Sequence, residues 1–138
     1  MIRATFALVA GLGIPVACSN GAMILAGMFP VSFNLLERPP WRYLVFLLFA
    51  NVVGALLGGW AAARIYQRAP RTVGVALGGV LFAVLLWQCW GTVFFRPTPG
   101  IFPTWWYALL LVSIFFGSSL GGVCAAVLAK YRPSRLGA

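Results

Sequence analysis

Four long apolar runs make up most of the chain, and charged residues fall only at their edges. No Asp, Glu, Lys or Arg lies between Arg3 and Glu37, Arg42 and Arg64, Arg71 and Arg96, or Arg96 and Lys130. A helix needs about 20 predominantly apolar residues to cross a hydrocarbon layer roughly 30 Å thick. Each interval holds one crossing and none comfortably holds two. The pattern predicts helices near 5–29, 43–63, 73–95 and 105–129. Barrel strands would alternate apolar and polar residues over about ten positions, and these runs do not alternate. Lipid offers the backbone no hydrogen-bond partner, which leaves helices as the solution. The expected fold is an all-α integral membrane protein, a compact four-transmembrane-helix bundle formed by residues 1–138 as a single transmembrane domain.

Composition agrees with that pattern. The chain is 62% hydrophobic and 8% charged, against about 25% charged in an average soluble domain. A small soluble fold buries only about two-thirds of the surface of its unfolded chain, too little to hide so many apolar side chains.

A net charge of +9, with one acid (Glu37) and no His, raises the question of nucleic acid. Such binding needs Lys and Arg clustered on one face. Here they stand singly or in threes at the ends of apolar runs, as topology signals and lipid-headgroup contacts do. Arg3, Arg64, Arg68, Arg71, Lys130, Arg132 and Arg135 fall on one side of the membrane, and Arg38, Arg42 and Arg96 on the other. The positive-inside rule then predicts a multi-pass protein of the cell inner (plasma) membrane with both termini cytoplasmic. The run from Val16 to Asn20 is similar to a lipoprotein cleavage site, but Pro15 fits poorly there. The first helix is expected to be retained.

Pro40–Arg71 and Pro103–Ser134 align without gaps at an offset of 63 residues. Gly54 meets Gly117, Gly58-Gly59 meets Gly121-Gly122, Ala62-Ala63 meets Ala125-Ala126, and Pro70 meets Pro133. This suggests tandem duplication of a two-helix unit, with repeat units 1–71 and 72–138 related as in some transporters. Small residues four apart let helix backbones approach in lipid. Gly54 and Gly58, Gly74 and Gly78, and Gly117 and Gly121 are the expected packing positions, with helices 2 and 4 meeting on their stripes; helix 1 adds Gly13, Ala17 and Gly21. Trp41, Tyr43, Trp105, Trp106 and Tyr107 are expected at the outer membrane interface, and Trp60, Tyr66 and Tyr131 near the inner one. Proline-rich loops, 37–40 and 96–103, read as rigid connectors.

Candidate chemistry is sparse. Without His there is no imidazole base or ligand, and a single acid forms no carboxylate pair. Cys18, Cys89 and Cys124 lack Cys-x-x-Cys spacing. No enzymatic activity, cofactor or metal is expected, although lipid or apolar pigment contacts fit the surface. Asn20, Asn51, Gln88 and Ser113, one from each helix, fall at similar depths and form a candidate polar layer. Its simplest reading is interhelical hydrogen bonding, worth about 0.6 kcal/mol a contact; the alternative is a path for a neutral or anionic solute. Pro15 kinks or breaks helix 1 just before Cys18-Ser19-Asn20-Gly21. Asn51-Val52-Val53-Gly54 with Gly59 resembles part of the second helix of small fluoride channels. The third helix, with Leu85-Leu86-Trp87-Gln88-Cys89-Trp90, lacks the Thr/Ser/Phe-rich motif such channels need, and no family follows.

The expected function is that of a non-catalytic accessory or structural subunit of a larger membrane complex. The alternative is a small oligomeric channel or transporter. The expected partners are membrane lipids and other membrane chains or further copies of this one, not nucleic acid.

Overall fold

The computed structural model describes residues 2–28, 40–94 and 104–131. These form α1 (Ile2–Met28), α2 (Trp41–Ile65), α3 (Pro70–Phe94) and α4 (Thr104–Lys130), each long and apolar enough to cross a membrane. The helices extend past the apolar runs by a few residues, taking in Arg3, Arg42, Arg64 and Arg71. A charge ends the hydrocarbon-facing stretch but does not end the backbone hydrogen-bond ladder, which continues into the headgroup layer. Pro70 opens α3 at the first helical position, where its missing N–H is no loss. Most of both proline-rich loops, with Glu37, Arg38 and Arg96, lies outside the described residues, as do Arg132 and Arg135.

Gly11 packs against Gly58 and Cys18 against Gly54, so α1 and α2 run antiparallel. Gly74 against Gly122 and Gly78 against Phe115 make α3 and α4 antiparallel too. Gly117 beside Val52 and Gly121 beside Leu56 make α2 and α4 parallel. The start of α1 and the end of α4 therefore share one end of the bundle. Around it the order is α1, α2, α4, α3, with α3 leaning back onto α2. α1 does not pack against α4 and meets α3 only briefly, where Leu77 lies over Gly11.

Small residues come in adjacent pairs on the two central helices: Gly54-Ala55, Gly58-Gly59 and Ala62-Ala63 on α2; Gly117-Ser118, Gly121-Gly122 and Ala125-Ala126 on α4. Neighbours on a helix are about 100° apart, so each pair supplies two edges rather than one. Gly54 and Gly58 receive Pro15 and Cys18 of α1. Ala55 and Gly59 receive α4, at Gly117 and Ser118. Gly121 faces the backbone of Leu56 and Trp60, whereas Ser118 and Gly122 face Gly74 of α3. This corrects the expected stripe-on-stripe meeting of α2 and α4. Gly54 and Gly58 turn to α1, and α4 uses the edge one residue on. A Cβ on Gly74 would lie 2.8 Å from the Gly122 Cα, and one on Gly59 or Gly121 would collide with the Ser118 or Leu56 carbonyl oxygen. These are backbone-to-backbone approaches that only glycine permits.

Toward the opposite end, where α2 and α4 begin, the core passes from glycine to bulk: Leu44, Leu47, Trp106, Leu110 and Ile114 are buried together. Trp106, expected among the interfacial aromatics, is only 6% exposed. Its indole Nε1–H donates to the Leu44 carbonyl at 3.3 Å. Trp105 is 54% exposed and Trp41 68%. Consecutive tryptophans on one helix cannot face the same way, so one of the pair turns inward.

Candidate functional site: the polar groups within the bundle

Among the described side chains of the candidate polar layer, Asn51 alone is buried. It is 9% exposed, and its Nδ2 donates to the Leu47 carbonyl one turn earlier, at 2.7 Å. Ser113 Oγ likewise donates back to Leu110, at 3.0 Å. Asn20 is exposed. The face of α1 turned to the bundle carries Ala7, Gly11, Pro15, Cys18 and Ala22, and Asn20 stands about 200° from Cys18. The Gln88 side chain lies outside the described residues. Asn20, Asn51 and Ser113 are therefore not drawn into one layer. Equal depth did not bring them together, because depth along a helix says nothing of direction around it.

A polar side chain that does bridge helices is Ser118, which sequence reasoning passed over. It is fully buried, and its Oγ donates to the Gly74 carbonyl at 3.1 Å. The available signal was its spacing of four from Gly122, a small-residue pair one step round from Gly117 and Gly121. Ser119 Oγ donates to Phe115 in its own helix at 2.8 Å. Asn51, Ser113, Ser118 and Ser119 thus all bond to backbone carbonyls.

Pro15 does not break α1, which is helical throughout Ile2–Met28. It does remove the N–H that would bond the carbonyl of Gly11, four residues earlier. That carbonyl points at Gly58, where a Cβ would lie 2.6 Å from its oxygen. A glycine hydrogen occupies that direction instead, so the freed oxygen meets a Cα–H, a weak donor often found where helices approach closely.

Elsewhere α1 offers an open edge. Nothing lies within 4 Å of a Cβ built on Gly13 or Gly21, and Ala17 and Asn20 are exposed. The Asn20 side chain has no hydrogen bond among the described residues. Between α1 and α3 runs an apolar groove of about 180 Å³, floored by Ala62 and walled by Ala7 and Leu77. Cys18 and Cys124 are free thiols. No three His, Cys, Asp or Glu gather to hold a metal among the described residues.

Fold and surface together define a multi-pass membrane protein, a bundle of four apolar helices closed by glycine contacts. No protein-family model matches the chain, and no curated protein or solved structure does so either.

Proposed function

We propose that the protein is a non-catalytic accessory or structural subunit of a larger membrane assembly, docked through the outer edge of α1. The observation that carries this reading is Asn20, an amide facing away from the bundle beside the open small-residue edge of Gly13, Ala17 and Gly21. An amide left unpaired in hydrocarbon costs several kcal/mol. A neighbouring helix lying on that edge would come close enough to bond it. The internal polar groups support the same reading, because Asn51, Ser113, Ser118 and Ser119 bond to helix carbonyls instead of lining a solute path. The membrane is the inner (plasma) membrane, and the Lys/Arg bias puts both termini in the cytoplasm.

The test is extraction in mild detergent followed by sizing and subunit identification. The wild type runs with partner chains in fixed ratio. Asn20→Leu combined with Ala17→Leu releases it, with near-UV circular dichroism unchanged. A monomer that passes solute in liposomes, with flux altered by Asn51→Ala, would overturn the reading.

A further inference from the structure

At the end of the bundle where α2 finishes, Ala63, Arg64, Gln67, Pro70, Ala125 and Ala129 enclose a cleft of about 250 Å³. Three alanines leave the space open, and Arg64 and Gln67 supply its polar groups. The Arg64 guanidinium is held from below, its Cζ 5.7 Å from the centroid of the Trp60 ring one turn earlier. Trp60 is itself partly exposed, as suits a ring at headgroup level. Arg68 and Arg71 are exposed on the adjoining turn, and Lys130 ends α4. The described residues contain no Asp or Glu, so this cluster has no carboxylate partner among them. Part of the charge of Arg64 and Lys130 offsets the C-terminal dipoles of their own helices. The remainder needs anions from outside the chain.

We propose that this cleft binds a phosphate group, carried by an anionic phospholipid of the leaflet at that end. Arg64 supplies the planar fork that matches two phosphate oxygens. The Gln67 amide donates to a third. The alanine walls leave room for the glycerol.

The test is native mass spectrometry of the full-length protein in detergent, titrated with phosphatidylglycerol, with phosphatidylcholine, and with millimolar inorganic phosphate. The wild type retains one phosphatidylglycerol in preference to phosphatidylcholine. Arg64→Gln weakens that binding about fivefold, the effect of one basic residue at a membrane surface. Gln67→Glu, on an exposed turn position where folding is not at stake, weakens it at least as much. Arg3→Gln removes the same charge from the start of α1, at the same end of the bundle, and changes affinity less than about twofold. Displacement of the lipid by inorganic phosphate assigns the site to soluble phosphate; retention of the lipid assigns it to the headgroup. Equal binding of both lipids, or equal losses in Arg64→Gln and Arg3→Gln, would overturn the proposal.

Discussion

Gly58→Ala adds one methyl group where α1 and α2 come closest. The new Cβ would lie 2.6 Å from the Gly11 carbonyl oxygen and 2.9 Å from two carbons of the Pro15 ring. Neither neighbour yields easily, since one is backbone and the other a ring fused to it. Ordinary contact starts near 3.4 Å, so α1 must retreat by about 0.8 Å along this stretch. A gap of that size forfeits a quarter to a half of each dispersion well, each well being about 0.1–0.2 kcal/mol. Over on the order of 50 atom pairs, what one large buried side chain makes, and with a mid-range well of about 0.15 kcal/mol, the loss is about 2–4 kcal/mol. Alanine returns about 1 kcal/mol through its better helix propensity. The net destabilisation is about 1–3 kcal/mol, read as a lower midpoint in a titration from mild detergent into sodium dodecyl sulfate followed by near-UV circular dichroism. The matched control is Gly79→Ala, where nothing lies within 4 Å of the added carbon; there propensity acts alone and stability rises by up to about 1 kcal/mol. If Gly58→Ala is as stable as Gly79→Ala, glycine contact does not hold α1 to α2.

Three further outcomes follow from the same geometry. Ser118→Ala removes only the bond to Gly74 and costs about 0.6 kcal/mol; Ser118→Val, which forces bulk against Gly59 and Gly74 backbone, costs about 1–3 kcal/mol, and the same titration separates them. Trp106→Phe loses an indole donor and buried volume, lowering stability by about 1–3 kcal/mol, whereas Trp41→Phe at the exposed surface leaves the midpoint unchanged. In variants retaining a single cysteine, a membrane-permeant maleimide labels exposed Cys124 faster than Cys18, which packs on Gly54; equal rates would mean that α1 does not stay seated.

The crossings were legible because in lipid the position of charge is nearly the whole signal: a stretch free of Lys, Arg, Asp and Glu marks the hydrocarbon layer directly. Helix ends were less so, since Arg42 and Arg71 carry on the helix in headgroups where a hydropathy pattern stops. What could not be read was direction around each axis. In a soluble bundle an amphipathic stripe points to the core, but here the lipid-facing and core-facing sides are equally apolar. Asn20 and Asn51 therefore looked alike in sequence yet face opposite ways. The adjacent Trp105 and Trp106 shared a label although 100° of rotation separates them. Gly54-Ala55 and Gly117-Ser118 show where the missing information sat: each doublet marks two contact edges, and counting one stripe per helix hid the second.

The uneven seating of α1 carries its own implication for the life of the molecule. Three helices, α2, α3 and α4, form a closed triangle, each touching both others, while α1 leans on a single flank of that triangle. Under stress it would be the first strut to come away, leaving a three-helix remnant behind. The segment that carries the outward amide is thus also the one most easily repositioned, so a neighbour that grips it could tug on the Pro15–Gly58 joint without disturbing the rest.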